Sequence, residues 1–391
     1  MAEHTNSSMN AASKAKNDEF YTLLTDIEKE MRYYRAHFRG KTVFCNCDDP
    51  FESNFFKYFV LNFNRLGLKK LIATCYATSP VANQQLTLFD VIGGEEENKD
   101  KPYKAVVTKV YDKTGDGGVD MFDVAELFKS GENELTELAG DGDFRSKECL
   151  ELLDEADIVV TNPPFSLFRE YVATLMEHEK KFIIIGNSNA ITYKEVFPLI
   201  MENKVWLGVT RAGTGSMWFR VMDSFPEKSG QKIENGVRYQ TIGNSAWFTN
   251  LDVKKRHESL ILVKPYREEH YPKYDNYDAI EVSKIVDIPY DFDGVMGVPI
   301  TFLGKYSPDQ FEILGITKTW FGAASKTYPK QIQVDKNGKK SEVSKLNDGP
   351  SLEVEVPPVG KTYYMVDGKN YVQLYARVLV RNKHPEAPRE G

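Results

Sequence analysis

The sequence predicts an α/β protein, with a mostly parallel sheet in the first 250 residues and a smaller region of irregular or β character after it. Strand-like apolar runs alternate with amphipathic runs of about 10–15 residues, which is the pattern of βαβ crossovers. From Arg211 to Asn250 the chain is rich in glycine and aromatic residues, and beyond Asp252 it has more proline and tyrosine and few helical periods. A length of 391 residues is enough for two domains.

Each element follows from its local pattern. Apolar residues at helical spacing between Phe20 and Phe38 predict a first helix, and the capping-box spacing of Thr25 and Glu28 places its start at Thr25. A second helix at 53–67 is predicted to stop at Gly67. The other elements are a strand at 41–47, a strand at 69–75, a polar and acidic insertion at 76–104, a strand at 103–111, a helix near 119–129, a short strand and turn at 137–146, a strand at 158–161, a helix at 166–178, a strand at 181–186, a helix at 192–201, a strand at 204–209 and an antiparallel strand at 244–250.

These elements predict a flexible N-terminal arm at 1–16, a first domain at 17–252 and a second at 253–391. No apolar run approaches the length of a membrane span, and the arm lacks the apolar region of a signal peptide, so a cytoplasmic protein is expected. The four cysteines form neither a disulfide framework nor a CxxC pair. The six histidines lack zinc-ligand spacing, and the sequence predicts no metal site.

Charge is distributed unevenly along this acidic chain. The net charge is −7, but residues 251–391 hold 21 basic and 20 acidic residues, so the excess of acids lies in the rest of the chain. Residues 316–345 carry seven lysines and two acids, which makes a local basic patch. This patch is either a surface for a polyanion or a solvated lysine hairpin. The Asn-Gly step in VDKNGKK (334–340) indicates the tip of such a hairpin.

The stretch DIVVTNPPFSLF (157–168) ends a buried strand in two prolines. Proline fixes φ and has no N–H, and the residue before a proline is held extended. Asn162, Pro163 and Pro164 therefore form a rigid edge with two acceptors, the Asn162 side-chain oxygen and the Pro163 carbonyl, beside the ring of Phe165. Ligands of open α/β sheets bind at the carboxyl ends of the strands. The ligand that matches this edge is a planar group with an amine, such as the exocyclic amino group of a base.

That geometry suits methylation of an adenine amino group. The amino nitrogen is a poor nucleophile because its lone pair is delocalised into the ring, and two acceptors on its N–H bonds would localise that lone pair. The electrophile would be the sulfonium methyl of S-adenosylmethionine, so the protein has to supply positioning and electrostatics. Phe165 would hold the ring by stacking, worth about 1–3 kcal/mol. The alternative is a strand that ends in a proline turn under a core phenylalanine.

Eight stretches point to one family when they are taken together. They are NDEFYT (17–22), FCNCDDPFESNFFKYF (44–59), GDGDF (140–144), VVTNPPFSLF (159–168), IIGNSNAITYKEVFPLI (184–200), WFTNLD (247–252), GVMGVPITFL (294–303) and DQFEILG (309–315). Over most of its length the chain thereby resembles the EcoRI-type family of adenine-specific DNA methyltransferases. The resemblance implies a class I methyltransferase fold, which is a Rossmann-like, mostly parallel sheet of seven strands with the last strand antiparallel. It also implies a smaller C-terminal target-recognition region.

The same resemblance implies the cofactor S-adenosylmethionine and a set of residues that hold it. They are Phe20, Tyr21 and Thr22 near the methionine carboxylate, Asn46, Cys47, Asp48 and Asp49 in the first cofactor loop, Asp143 and Phe144 beside the cofactor adenine, and Asn162. The chain departs from the general methyltransferase pattern at two points. CNCDDP (45–50) replaces a glycine-rich loop, and Cys75-Tyr76 stands where a ribose-binding acid is expected. The alternative roles are a helix N-cap for Asp48 and a turn residue for Asp143.

An adenine amino group is out of reach inside duplex DNA, so the enzyme has to flip the base out, at a cost of a few kcal/mol. The residues expected to hold the opened duplex are Arg211, Arg220, Lys330, Lys336, Lys339 and Lys340. Duplex DNA is the expected partner, with a cognate restriction nuclease that acts separately, and the expected state is a monomer or weak dimer in a bacterial or phage-infected cell. Two alternatives stay open: the same chemistry on RNA or protein glutamine, and a nucleic-acid-binding module without catalysis.

Overall fold

The structure is a computed structural model that describes residues 21–387, apart from 48–49, 51–52, 76–101, 211–216, 222–226 and 228. The described chain forms two compact units. Unit 1 runs to Ala190 and resumes over Val205–Val253, and unit 2 comprises Ile191–Lys204 and the chain from Lys254 onward.

Unit 1 combines helices with two sheets, as expected for an α/β protein. Its described strands are β1 (Tyr21–Thr22), β2 (Thr42–Cys45), β3 (Lys70–Thr74), β4 (Tyr103–Val107), β5 (Glu134–Glu137), β6 (Ile158–Thr161), β7 (Lys181–Asn187), β8 (Trp206–Leu207), β9 (Met217–Arg220), β10 (Gln231–Glu234), β11 (Val237–Ile242) and β12 (Ser245–Thr249). Its described α-helices are α1 (Leu24–Met31), α2 (Arg35–Phe38), α3 (Asn54–Leu61), α4 (Phe63–Leu66), α5 (Met121–Lys129), α6 (Lys147–Glu155) and α7 (Phe168–Glu177).

The main sheet of unit 1 has eight strands in the order β5-β4-β3-β2-β6-β7-β12-β8. Its four central strands, β3, β2, β6 and β7, are parallel, as the alternating pattern predicts. β12 is antiparallel to β7, which confirms the antiparallel strand predicted at 244–250. At the other edge β4 and β5 are also antiparallel. The sheet is therefore more mixed than the sequence pattern indicates. Antiparallel strands at the edges of a parallel centre are common in large sheets.

Burial explains why the central strands read as unbroken apolar runs. All four residues of β2 and all four of β6 are buried, as expected for strands covered on both faces. Ser53 caps α3 by accepting a hydrogen bond from the Phe56 amide at 3.4 Å. Gly67 ends α4 with φ of 64°, which confirms the predicted stop at this glycine.

The start of the first helix is not at Thr25, as the capping-box spacing predicts. The N-cap of α1 is Leu23, whose side chain makes no capping hydrogen bond. Residues Tyr21–Thr22 pair with β9 in an antiparallel ladder, so the chain is extended immediately before the helix. The long-range pairing, which the local pattern does not show, therefore sets the helix start.

Two predicted strands are shorter in the structure because side chains take over their backbone hydrogen bonds. β4 ends at Val107, and the amides of Thr108 and Lys109 donate to Asn133 Oδ1 at 3.0 and 3.1 Å. The strand predicted at 204–209 is reduced to β8. The amides of Val209 and Thr210 donate hydrogen bonds to the buried carboxylate of Glu30.

The helix predicted at 192–201 is also shorter. It is α8 (Phe197–Met201), with Pro198 in its first turn. Proline has no N–H, and the amides of a helix's first turn have no partner within the helix, so Pro198 fits the start of a helix and not the interior of the longer helix predicted. A 3-10 helix at Ser188–Thr192 and a turn at 193–196 precede α8.

The loop that leads into α5 is organised by aspartates. Carboxylate oxygens of Asp112, Asp116 and Asp123 lie within 4.8 Å of one another. Backbone amides of Gly115 and Gly117 donate to Asp112 at 2.6 and 2.8 Å. The amides of Lys113 and Thr114 donate to Asp123 Oδ1 of α5, both at 2.8 Å, and attach this turn to the first turn of the helix.

Unit 2 consists mainly of β-structure and short 3-10 helices, besides α8. Its described strands are β13 (Ile280–Glu281), β14 (Met296–Pro299), β15 (Phe311–Ile316), β16 (Gln331–Val334), β17 (Lys340–Val343), β18 (Ser351–Val354), β19 (Tyr363–Val366), β20 (Lys369–Gln373) and β21 (Arg377–Asn382). They form a four-stranded sheet, β13-β14-β21-β15, and a five-stranded sheet, β17-β16-β19-β20-β18. Arg377 and Glu281 form a buried ion pair at 2.8 Å within this unit. Among the described residues of both units, no helix has the length and apolarity needed to cross a membrane.

Candidate active site

Asn162–Phe165 lie at the carboxyl end of β6, where the sequence places them. The strand ends at Thr161, Asn162 is only 7 % exposed, and its side-chain oxygen is buried. Pro163 is buried, and Pro164 and Phe165 are half-buried. Phe165 begins a 3-10 turn that leads directly into α7, and its ring packs against the core of unit 1. The two prolines therefore join a buried strand to a helix with no flexible residue between them.

The neighbouring strand brings Asn46 and Cys47 to the same edge. β2 and β6 are parallel and adjacent, so their carboxyl ends coincide. The Thr161 hydroxyl donates a hydrogen bond to the Asn46 carbonyl, and the Tyr171 hydroxyl of α7 donates one to Asn46 Oδ1. Burial raises the pKa of Tyr171 well above its ordinary value, so its hydroxyl stays neutral and keeps its proton for this bond. The loop after β2 is thus held from two sides.

The loop without glycine still makes the left-handed turn for which glycine is usually required. Cys47 has φ of 85°, a conformation that residues with a Cβ adopt at a cost of about 1–3 kcal/mol. The hydrogen bonds to Asn46 hold the residue before this turn in place. Asp48 and Asp49, which the sequence also predicts in this loop, lie outside the described residues.

The GDGDF loop (140–144) lies at the same edge of the sheet, against the end of β3. Gly142 has φ of +78°, and a Cβ on it would stand 2.2 Å from the Cys75 carbonyl oxygen, so only glycine fits against the end of β3. Phe144 is 7 % exposed, and its ring packs edge-on against Tyr171 with centroids 4.9 Å apart. Through Tyr171, the loop therefore connects to Asn46.

The Asp143 carboxylate is already engaged by its neighbour Arg145. Nε and Nη2 of Arg145 donate to its two oxygens at 2.8 and 2.6 Å. Burial of Asp143 favours the neutral acid, but the hydrogen bonds from Arg145 outweigh it and hold the pKa of Asp143 below its ordinary value. Arg145 also reaches Glu170 at 3.2 Å. A ligand of Asp143 would meet an ionised carboxylate whose orientation is fixed.

Tyr21 and Thr22 lie beside the start of α3. The Thr22 carbonyl accepts a hydrogen bond from Asn54 Nδ2 at 2.7 Å, and Asn54 is the first residue of that helix. Thr22 is 3 % exposed, and its hydroxyl has no hydrogen-bond partner among the described residues. A buried polar group without a partner costs about 1–3 kcal/mol, which a polar ligand could offset. Phe20 lies outside the described residues.

The basic residues predicted to hold DNA fall in both units. Arg220 lies on β9 of unit 1, directly opposite Tyr21 on one neighbouring strand and Tyr239 on the other. Lys330, Lys336, Lys339 and Lys340 are exposed in unit 2. Lys336 and Lys339 lie in the turn between β16 and β17, and Lys340 is the first residue of β17, which confirms the predicted hairpin. We refer to these three lysines as the lysine tip. Arg211 lies outside the described residues.

Four residues of this edge have no place in the sequence-based prediction. Arg145 directly follows the stretch 140–144, and Tyr171 lies three positions after the stretch 159–168. Their contacts to Asp143 and Asn46 appear only once the chain is folded. Asn54 and Thr161 differ, since both lie inside recognised stretches, at 44–59 and 159–168. Their positions, Asn54 at the start of a helix and Thr161 directly before Asn162, are the signal that could have identified them.

Comparison with known proteins identifies the class of protein to which this chain belongs. The family model described as "Adenine-specific methyltransferase EcoRI" matches residues 8–383. The chain is 49 % identical to the Type II methyltransferase M.EcoRI of Escherichia coli over 319 residues, which cover 80 % of this chain and 90 % of that protein. It is 39 % identical to the Type II methyltransferase M.MpnI of Mycoplasma pneumoniae over 311 residues, which cover 78 % and 84 %. No solved structure is significantly similar to the chain.

These matches place the protein in the class of DNA methyltransferases. The chain belongs to the EcoRI family of adenine-specific methyltransferases, as the eight stretches of sequence indicate.

Proposed function

We propose that the protein transfers a methyl group from S-adenosylmethionine to the N6 amino group of adenine in duplex DNA, after the base is flipped out of the helix. The observation that carries the proposal is the placement of Asn162–Phe165 at the carboxyl end of β6. Thr161 and Tyr171 tie this segment to the loop at the end of β2. Ligands of open α/β sheets bind at this edge.

Strand order supports the assignment of unit 1 to the class I methyltransferase fold. The series β4-β3-β2-β6-β7-β12-β8 has the implied number of seven strands, and β12, the last of them in the chain, is antiparallel to both of its neighbours. β4 departs from the implied fold, because it is antiparallel to β3. β5 is an additional edge strand. On this basis we assign the catalytic domain to 17–252 and the target-recognition region to 253–391. The arm predicted at 1–16 lies outside the described residues.

The target adenine is held by the Asn162 side-chain oxygen and the Pro163 carbonyl. Both are acceptors, so they favour the tetrahedral amino nitrogen that attacks, and they act mainly in the transition state. Pro164 fixes the turn that places the Phe165 ring, which stacks on the base. No strong general base is required, since the amino nitrogen becomes acidic once it is alkylated.

The residues around the edge fit S-adenosylmethionine, which supplies an electrophilic methyl group when it is bound. Thr22 offers a buried hydroxyl that has no hydrogen-bond partner in the described part of the chain. Asn46 lies in a loop that the Tyr171 hydroxyl holds in place. Asp143 provides an ionised acceptor for the cofactor's amino group or ribose, and Phe144 an apolar surface. Tyr21, which precedes Thr22 in the chain, and Cys47, which follows Asn46, belong to the same proposed set. Phe20, Asp48 and Asp49 complete the proposed set by family resemblance.

The opened duplex is held by Arg220 and the lysine tip, together with Arg211 and Lys330. Phosphate contacts of this kind position the DNA and carry no sequence information by themselves. We assign the enzyme to the cytoplasm of a bacterial or phage-infected cell, acting as a monomer or weak dimer beside a separate restriction nuclease. RNA or protein glutamine as the methyl acceptor is the alternative, since NPPF also occurs in such enzymes.

The test is to map methylated bases in DNA from a methylation-deficient host that expresses the chain. Methyl groups on adenine N6 within one short motif are expected from the wild type, and none from Asn162→Ala. Asn162→Asp keeps an oxygen acceptor and is expected to retain measurable methylation. Unmodified DNA from a host with folded wild-type protein would overturn the proposal, and assays on RNA and on glutamine peptides would then locate the acceptor.

A further inference from the structure

The second sheet of unit 1, in the order β1-β9-β11-β10, has one face on the core and one partly exposed face. On β9, Met217 and Phe219 are buried in the core cluster, at 7 % and 0 % exposure. Trp218 and Arg220, which alternate with them, are partly exposed. Because successive side chains of a strand point to opposite faces, Trp218 and Arg220 lie on the outer face of this sheet.

The register of the sheet places aromatic and basic side chains alternately across that outer face. Tyr21 pairs with Arg220, Arg220 with Tyr239, and Tyr239 with Lys232. Residues directly opposite one another share a face, so these four form one row across four strands. We refer to Trp218 and the four residues of the row as the aromatic–basic face.

Cation–π contacts join three members of the aromatic–basic face, Lys232, Trp218 and Tyr239. Lys232 Nζ lies 4.4 Å from the centroid of the Trp218 ring and 5.6 Å from that of Tyr239. These contacts hold the ammonium group beside both rings. The face is therefore a cluster of aromatic and cationic groups, and not a set of isolated side chains.

The charge of this sheet differs from that of the whole chain. On the aromatic–basic face the cations are Arg220 and Lys232 and the acid is Glu234, which pairs with Lys232 at 2.8 Å. Arg238, a further cation of these strands, is paired with Ile233 and lies on the other face. The whole chain carries a net charge of −7. A local excess of positive charge interleaved with aromatic rings is complementary to a polyanion whose bases are unstacked.

The sheet is attached directly to the candidate active site. The Thr22 carbonyl of β1 accepts the hydrogen bond from Asn54, which starts the helix that follows the loop of Asn46 and Cys47. Met217 and Phe219 of β9 belong to the same core cluster against which Phe165 packs. DNA that delivers a base to Phe165 therefore approaches unit 1, which also carries the aromatic–basic face.

We propose that the aromatic–basic face binds the DNA strand beside the opened base pair, a role that rests on the proposed function and specifies its DNA contact. Trp218 and Tyr239 stack on bases that lose a stacking neighbour when the target adenine is flipped out. Arg220 and Lys232 hold the adjoining phosphates. Stacking of this kind tolerates any sequence, since every base has a π-face.

The test measures the affinity for a fluorescent duplex that carries the mapped methylation motif, across a range of salt concentrations. Trp218→Ala is expected to weaken binding about 5- to 150-fold at every salt concentration, which is the loss of one stacked base. Trp218→Phe keeps most of the affinity. Lys232→Ala flattens the slope of log affinity against log salt by about 0.9, for one phosphate contact. Ile233, 67 % exposed on the opposite face of β10, provides the matched control as Ile233→Ala, with unchanged binding.

Binding by Trp218→Ala within twofold of the wild type overturns the proposal, as does an equal loss in Ile233→Ala. S-adenosylmethionine affinity, measured by calorimetry, reports that each variant is folded; should Trp218→Ala fail this check, the salt slope of Lys232→Ala decides instead. Methylation by the wild type separates this proposal from the proposed function. If the wild type methylates adenine and all variants bind alike, only the role of the face is wrong.

Discussion

Replacing Tyr171 with phenylalanine removes a single hydroxyl group on which the geometry of the candidate site depends. That hydroxyl donates to Asn46 Oδ1 and joins α7 to the loop at the end of β2. Both residues are buried, with Tyr171 1 % and Asn46 5 % exposed, so water cannot replace the lost donor without rearrangement. The edge-on packing of ring 171 on Phe144 is kept in the variant.

The expected cost follows from this burial. A buried acceptor left without its donor costs about 1–3 kcal/mol of folding free energy. For a unit of this size, each kcal/mol lowers the melting temperature by about 2–4 °C. The loop at Asn46 is also part of the proposed cofactor site. The affinity of the Tyr171→Phe variant for S-adenosylmethionine is therefore expected to fall by up to about tenfold, which corresponds to about 1.4 kcal/mol.

Thermal unfolding with and without S-adenosylmethionine, together with calorimetric titration, measures both effects. Tyr111→Phe is the matched control, since among the described residues the Tyr111 hydroxyl hydrogen-bonds only to Glu132 and Lys113, both of them accessible to solvent. It is expected to change neither quantity. If Tyr171→Phe melts at the wild-type temperature and binds the cofactor with wild-type affinity, the hydrogen bond to Asn46 does not organise the site.

Further substitutions test the other roles. Asn162→Ala is expected to abolish methyl transfer while cofactor and DNA affinities stay within a few-fold in binding assays, because the lost acceptor acts mainly in the transition state; near-normal turnover would contradict its assignment. Phe165→Ala is expected to weaken capture of a fluorescent base analogue at the target position, and Phe165→Trp to keep it; equal signals would exclude stacking. Asp143→Ala is expected to raise the dissociation constant of S-adenosylmethionine about tenfold, and an unchanged constant in calorimetry would leave Asp143 as a turn residue. Alanine at all three positions of the lysine tip is expected to flatten the salt dependence of DNA binding by up to about 3, for specific and non-specific duplexes alike; an unchanged slope would show that these lysines are only solvated.

Local patterns predict those parts of the fold whose causes are local. The strand at 158–161, the helix after it and the stop at Gly67 depend on apolar runs, turn residues and a glycine, and all three are present. The strands β4 and β8 are shorter than predicted because of partners distant in sequence. Glu30 takes the amides after β8, and Asn133 takes those after β4. A local pattern contains no information on such partners.

In the candidate site, too, features with a local cause can be predicted from the sequence, and contacts between distant residues cannot. The acceptor edge at Asn162 can be predicted because proline acts on its own backbone and on the residue before it. The role of Tyr171 cannot be predicted in this way, because its hydroxyl meets Asn46, 125 positions away in the chain.

Cys47 shows how such a distant contact can replace a sequence signal. A glycine-rich loop marks a cofactor site in sequence because glycine adopts positive φ without steric cost. Here the same positive φ, 85°, occurs at a cysteine, directly after a residue that Thr161 and Tyr171 hold through its carbonyl and its side chain. Strain of about 1–3 kcal/mol persists only where the surrounding structure over-determines the backbone, and these two hydrogen bonds provide that restraint. The absence of glycine is therefore compatible with a cofactor loop, on the condition that β6 and α7 supply both donors.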